Sequence, residues 1–192
     1  MANLFQLSDE PRVNSHETRF ALLRLRELRG SQLALGEEIV ANTRSGLSGI
    51  WNVFLNSPGV TSAFLKLYDY LRSGTAITPR LIEMTALLVA AEENSDYVWA
   101  AHAPLAVKAG LSEALIEDLK NGRRPVQMQP DEEALYEFLA LLLRDGRVTP
   151  ETFAAASSVF SAQSIVDFVA LVGQYKTVSM LIKVADLPPP AN

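Results

Sequence analysis

The sequence contains no cysteine. A disulfide framework, a zinc site built on thiolates and a peroxidase that cycles its own thiol all require cysteine, so the composition excludes these three classes for this chain. Basic clusters are absent too: the formal net charge is -5, and no segment is dense in lysine or arginine. Nucleic acid and an anionic membrane surface are therefore not expected as partners.

Targeting and membrane-spanning signals are also scarce. The first residues lack a basic start followed by an apolar core, so no signal peptide is predicted and a cytoplasmic location is expected. Only the segment from Ile165 to Val184 approaches the length of a membrane span, and Asp167, Gln174 and Lys176 interrupt it. We interpret this segment as a helix buried in the core or in a subunit contact.

Helical patterns extend along most of the chain. Hydrophobic residues make up 48% of the 192 residues, apolar positions recur at helical spacing, and no segment alternates as a strand does. The sequence therefore predicts an all-α protein, with a loose segment at residues 1–15 and one domain at residues 16–192. The predicted helices lie at residues 16–29, 31–43, 60–72, 112–120, 131–144, 149–160 and 165–184, with two more between 78 and 110.

Two helices folded back on each other are predicted from Thr78 to Gly110. Thr78 and Pro79 are typical of a helix start, because proline lacks an N–H that would have no partner there. The first helix breaks at Asn94, and Ser95 can cap the second, which Gly110 ends.

One carboxylate and one imidazole lie inside this predicted hairpin, Glu83 in its first helix and His102 in its second. With a rise of 1.5 Å per residue, the two residues differ in level by roughly 5 Å, which their side chains can span. The ordinary alternative is a hydrogen-bonded core histidine and a glutamate that reaches solvent.

The hairpin has a second, weaker copy in the sequence. The segment at 71–79 is echoed at 143–150, and Thr149 follows Thr78 by 71 residues. An internal repeat of a helix pair is one interpretation, and chance similarity between amphipathic helices is the other. At this offset Glu83 corresponds to Ala154 and His102 to Gly173, so the second copy lacks the polar pair. This difference favours a functional role for the pair in the first copy.

The spacing of Glu83, Ser95, Val98 and His102 resembles the Glu, Cys-x-x-Cys, His pattern of the alkyl hydroperoxidase D-like proteins, with Ser95 and Val98 at the two cysteine positions. The surrounding residues resemble a long, cysteine-free branch of the carboxymuconolactone decarboxylase family within that superfamily. The similar segments are 49–58, 71–74, 97–106, 109–112, 122–125, 131–136 and 175–187.

The resemblance implies an alkyl hydroperoxidase D-like helical bundle that assembles as a homo-oligomer, trimeric or hexameric. In the decarboxylases of this family, the substrate is a carboxylated lactone of aromatic compound catabolism. We therefore expect a lyase that performs cofactor-free acid/base chemistry, a decarboxylation or a related isomerase step, on a small carboxylated or lactone-like metabolite. The catalytic residues would be Glu83 and His102, and neither a metal ion nor a cofactor is expected.

Four further residues are candidates for substrate binding. Ser95 and Tyr97 could donate hydrogen bonds to a developing enolate, and Trp99 could form a wall of the pocket, although core packing is its ordinary role. Arg80 could bind a substrate carboxylate, or it could pair with Glu83, three residues further along the same helix face.

Two other functions remain open from the sequence. An antioxidant hydroperoxidase would need thiols from a partner, because serine and valine cannot cycle as cysteine does. A non-catalytic small-molecule-binding protein would bind a ligand without converting it.

Overall fold

The computed structural model describes residues 18–43 and 45–190. Within them the chain forms nine α-helices and no β-strand, which confirms the all-α prediction. The helices are α1 (Gly30–Asn42), α2 (Ile50–Phe54), α3 (Pro58–Asp69), α4 (Pro79–Glu92), α5 (Asp96–Lys108), α6 (Glu113–Lys120), α7 (Pro130–Asp145), α8 (Pro150–Val159) and α9 (Ala162–Ala185). A 3-10 turn at Leu25–Glu27 precedes α1, and a π-helical turn at Tyr70–Gly74 follows α3. The segment at 1–15 lies outside the described residues.

The chain divides into two compact units. The first comprises Met1–Tyr68 and Leu181–Asn192, and the second comprises Asp69–Met180. Glu83 and His102 both belong to the second unit. The single domain predicted from the sequence stays a prediction.

The first unit corrects one predicted helix. Residues 18–29 do not form the helix predicted for 16–29: they contain only the 3-10 turn, and His16 itself lies outside the described residues. The side chain of Asn52 binds the backbone of Leu23 on both sides, accepting from its N–H at 3.0 Å and donating to its C=O at 2.7 Å. The N–H and C=O of Leu23 are thus bonded to the Asn52 side chain and not to the backbone of a helix.

The helix α4 forms the centre of the second unit. Every residue from Leu81 to Ala90 is buried, and α4 packs against α5, α6 and α7. A helix that is covered on all sides must be apolar all round, which explains why its sequence shows no polar face. Glu83 is the one charged residue within this buried run.

The predicted helix starts are mostly confirmed. Ser112 Oγ accepts from Leu115 N–H at 3.2 Å at the start of α6, and Thr149 Oγ1 accepts from Thr152 N–H at 3.2 Å at the start of α8. The start of α7 differs, because its N-cap is Gln129, and Asp131, where the predicted helix began, lies in the first turn.

The two copies of the predicted repeat begin alike and then diverge. Pro79 begins α4 and Pro150 begins α8, each after a threonine. The helix α8 is the shorter of the two and ends at Val159, because Phe160 has an extended backbone with φ -115° and ψ 143°. The two segments therefore share their starting turns and differ in the geometry that follows.

The long helix α9 is mainly apolar, with one buried side. By length and composition alone it is the one helix of the described chain that could cross a membrane, and half of its most apolar window is buried. Phe168, Leu171 and Tyr175 form its inner face and are almost fully buried. This burial agrees with its interpretation as a core helix.

Candidate functional site

Glu83 of α4 and His102 of α5 form a close pair. Nδ1 of His102 lies 2.6 Å from Oε2 of Glu83. The side chain of Glu83 is 5% exposed and that of His102 is 16% exposed, so the carboxylate is the inner member of the pair. The proximity expected from the helix positions is confirmed.

The pair also defines which nitrogen of His102 is available for chemistry. An ionised carboxylate only accepts hydrogen bonds, so a contact with ionised Glu83 requires a hydrogen on Nδ1. Nε2 is then a base when the ring is neutral and an acid when the ring is protonated. The ring of Tyr175 meets the imidazole edge to face, with centroids 5.0 Å apart and planes at 83°, which helps to hold its orientation.

Arg72 supplies the positive charge beside the pair. Its Nη2 lies 3.7 Å from Oε1 of Glu83, the oxygen that does not face His102. Its side chain is 27% exposed, so it lies further out than Glu83. A buried carboxylate between a cation and an imidazole is partly compensated for the loss of its hydration.

Arg80 does not join this group, although the sequence proposed it for substrate binding. Its Nη2 lies 2.6 Å from Oδ2 of Asp131, and its Nη1 bonds to Glu132. Both carboxylates belong to the first turn of α7 and hold the guanidinium there. The pairing with Glu83 that the sequence spacing allowed is not formed.

The π-helical turn that carries Arg72 is anchored by Tyr70. The hydroxyl of Tyr70 donates to Oδ1 of Asp167 at 3.0 Å and accepts from Nε2 of Gln163 at 3.2 Å. Both partners lie in the first turns of α9. Short π-helical segments are frequent at functional sites, and this one links α9 to the residue that pairs with Glu83.

Gly74 leaves room for the ring of Tyr70, and its replacement by alanine is expected to be destabilising. A Cβ at this position would lie 2.8 Å from Cδ2 of Tyr70, so the ring would have to move away from Asp167. We expect a loss of about 1–3 kcal/mol in the free energy of unfolding, measured by urea denaturation.

Gly173→Ala is the matched control, because a Cβ there meets nothing within 4 Å in the middle of α9. It should stabilise the protein by roughly 0.5–1 kcal/mol, as alanine is the better helix former. Equal effects of the two substitutions would contradict the role assigned to Gly74.

The remaining candidates lie in the first turn of α5 or just before it. Ser95 is the buried N-cap, and its Oγ accepts from Val98 N–H at 3.4 Å. Ser95 and Trp99 lie seven and three residues before His102 and so share its side of the helix. Tyr97 lies five residues before His102, about 140° around the helix from it, so the helix does not bring it to the pair.

The structure adds residues that the sequence prediction did not include. Tyr175 of α9 contacts the imidazole of His102, and Asp167 of α9 binds Tyr70 in the π-helical turn that carries Arg72. One signal was present: a carboxylate at position 167, inside an apolar helix, needs a partner. Nothing in the sequence indicated which partner that would be.

Two surface clefts lie along α7 and α8, with volumes of about 330 and 510 Å³. Their linings carry carboxylates, small polar groups and, in the smaller cleft, Arg147, but no imidazole. We place the candidate site at Glu83 and His102 because there a buried acceptor orients a partly exposed acid/base group. The side chains of His102 and Arg72 are 16% and 27% exposed, so both are more exposed than Glu83.

No protein-family model matches this chain, and no curated protein matches it. Solved structures do match. An alkylhydroperoxidase AhpD core, a peroxidase-related protein from Ralstonia eutropha JMP134, has a TM-score of 0.76 at 14% identity, over 92% of this chain and 94% of that chain.

Two further structures agree with this likeness. A peroxidase-related protein from Silicibacter sp. TM1040 has a TM-score of 0.75 at 16% identity, over 96% of each chain. The debrominase Bmp8 has a TM-score of 0.63 at 14% identity, over 93% of this chain and 94% of that chain. The chain therefore has the alkyl hydroperoxidase D-like fold, as predicted, while its assignment to a cysteine-free branch stays a prediction.

Proposed function

We propose that the protein is a cofactor-free acid/base enzyme, a lyase of the carboxymuconolactone decarboxylase type or one that catalyses a related isomerase step. Its substrate is a small carboxylated or lactone-like metabolite. The observation that supports this proposal most is the 2.6 Å contact between Nδ1 of His102 and Oε2 of Glu83, with the imidazole on the outer side. His102 is the catalytic residue that meets the substrate, and Glu83 positions it.

In a decarboxylation the two residues would act as follows. The bond from the substrate carbon to its carboxylate breaks, CO2 leaves, and the electron pair moves into an enolate at the lactone carbonyl. Nε2–H of His102 then donates a proton to that carbon, and the ring regains a proton from solvent. Glu83 keeps Nδ1–H in place throughout and stabilises the protonated ring.

The peroxidase alternative lacks its redox group in this chain. The neighbours from Ralstonia and Silicibacter are described as peroxidase-related, but Ser95 and Val98 occupy the two cysteine positions of the motif. A peroxide can be reduced only if a thiol or another donor supplies two electrons. A peroxidase function would therefore require a separate thiol-bearing partner.

One neighbour supports a small cyclic ligand. A crystal structure of a cysteine-to-alanine variant of the debrominase Bmp8 contains 2,3,4-tribromopyrrole. This structure has a TM-score of 0.59 to the present protein and covers 73% of the present chain. A five-membered ring thus fits a protein of this fold. A lactone ring of similar size is compatible with the same fold.

Turnover of a defined set of compounds tests the proposal. Lactones with a carboxylate next to, or conjugated with, the ring carbonyl are incubated with the purified protein without added cofactor, and CO2 release is followed by NMR and mass spectrometry. Accelerated release from at least one lactone is expected. Peroxide consumption with a thiol donor and no CO2 release would support the antioxidant function instead, and binding without conversion would support a non-catalytic binding protein.

Assembly and location are part of the same proposal. Val166, Val169 and Met180 lie exposed on the outer side of α9, and such an apolar stripe supports a contact between copies of the chain. A homo-oligomer, trimeric or hexameric, in the cytoplasm is the arrangement we propose.

A further inference from the structure

We propose that Arg72 binds the anionic group of the ligand, so that the site selects carboxylates over neutral compounds of the same shape. This inference rests on the proposed function and names the residue that determines its substrate class. Arg72 thereby takes the role that the sequence had suggested for Arg80.

The position of Arg72 relative to the pair is the first support. Glu83 offers one carboxylate oxygen to His102 at 2.6 Å and the other to Arg72 at 3.7 Å. The second distance is longer than a hydrogen bond, so the ion pair is loose. An anion that binds Arg72 would therefore lie next to Glu83, the residue that orients the acid/base group.

The chemistry of the side chain is the second support. A guanidinium has five N–H donors in a planar fork that matches a carboxylate and allows two parallel hydrogen bonds. The Arg72 side chain is 27% exposed, whereas the Glu83 side chain is 5% exposed. A ligand carboxylate can reach Arg72 without displacing Glu83 from the interior.

The anchoring of the turn is the third support. Tyr70, two residues before Arg72, is bonded to Asp167 and Gln163 of α9, and Gly74 makes space for its ring. A turn that is held by the bonds of Tyr70 loses little freedom when a ligand binds Arg72. Preorganisation of this kind raises affinity and selectivity for the matching anion.

Arg80 provides the contrast within the same unit. Its guanidinium is already bonded to two carboxylates, Asp131 and Glu132, and its side chain is less exposed than that of Arg72. Of these two arginines, Arg72 is the one that lies beside Glu83 and has the more exposed side chain.

The test compares an anion with its neutral analogue. The probes are paraconic acid, a γ-lactone whose carboxylate is not next to the ring carbonyl and so is not released as CO2, and its methyl ester. Dissociation constants are measured by isothermal titration calorimetry on the full chain, for wild type, Arg72→Gln, Arg72→Lys and the control Arg144→Gln. Arg144 bears the same charge but lies on α7, 70% exposed and paired with Asp145.

We expect wild type to bind the acid more tightly than the ester. Arg72→Gln should weaken binding of the acid by about 10- to 100-fold, the usual loss for a charge-assisted hydrogen bond, and leave the ester unchanged. Arg72→Lys should recover part of the loss, since it keeps the charge without the fork. Arg144→Gln should behave as wild type.

Three results would overturn the assignment. They are a wild type that does not prefer the acid, an Arg72→Gln variant that retains full affinity for it, and an Arg72→Gln variant that loses acid and ester equally, which would indicate a structural role. The proposed function can fail separately: if the acid binds through Arg72 but no lactone is converted, the anion site stands and the lyase does not. If lactones are converted equally well by Arg72→Gln, only the anion site fails.

Discussion

Substitution of His102 by glutamine is expected to lower the turnover number by about 100- to 10,000-fold, the range typical for removal of a general acid or base. Glutamine can still donate a hydrogen bond to Glu83, so the carboxylate keeps a neutral partner. It cannot take up and release a proton at the position of Nε2. The His102 side chain is 16% exposed, so the fold should tolerate the change.

The chain offers a matched control for this experiment, because it contains only one other histidine, His16. The His16→Gln variant should convert the substrate at the wild-type rate. Circular dichroism and urea unfolding of His102→Gln should remain close to wild type. A loss of less than tenfold in turnover, with a folded protein, would contradict the catalytic role of His102.

The second large effect concerns Arg80 and is a loss of stability. Replacing Arg80 by glutamine should lower the free energy of unfolding by about 3 kcal/mol, because Glu132 would remain buried without its cation. Oε2 of Glu132 also accepts from Gln129 N–H at 2.8 Å in the capping box of α7. Weakening this carboxylate therefore also weakens the start of α7.

Urea unfolding measures this effect, and Arg144→Gln is again the control. Arg144 is paired with Asp145 at an exposed position, so its loss should cost less than about 1 kcal/mol. If Arg80→Gln were as stable as the control and had lost affinity for paraconic acid, the sequence interpretation of Arg80 as a substrate-binding residue would be right. The ion pairs with α7 would then be incidental.

The hairpin of α4 and α5 could be predicted from the sequence because its signals are local. Pro79 at a helix start, Ser95 as a cap and the rise of 1.5 Å per residue together placed Glu83 opposite His102. The distance of 2.6 Å between Nδ1 of His102 and Oε2 of Glu83 confirms that the two side chains meet. No knowledge of the other helices was needed.

The other members of the site could not be predicted in this way because they come from distant segments. Tyr175 meets His102, and Asp167 meets Tyr70, only through the packing of α9, and a sequence pattern does not reveal which face of such a helix meets which neighbour. The ion pairs of Arg80 could not be predicted either, for a related reason. Its true partners, Asp131 and Glu132, lie some 50 residues away in the sequence.

Local signals also failed where tertiary contacts override them. Residues 18–29 have a plausible helical pattern, but Asn52 binds the backbone of Leu23 and the segment has only one 3-10 turn. The N-cap of α7 is Gln129, which completes a capping box with Glu132, although Asp131 is the stronger capping residue by type.

The measurement that tests the central claim most directly is the protonation state of the two imidazole nitrogens of His102, read by ¹⁵N NMR of histidine-labelled protein. With two histidines in the chain, the spectrum is simple, and His102→Gln identifies the signals. We predict that neutral His102 carries its hydrogen on Nδ1, that Glu83→Ala removes this preference, and that paraconic acid shifts the Nε2 signal of wild type. A hydrogen on Nε2 with Nδ1 bare, or an Nε2 signal indifferent to the ligand, would contradict a Glu83-oriented catalytic histidine.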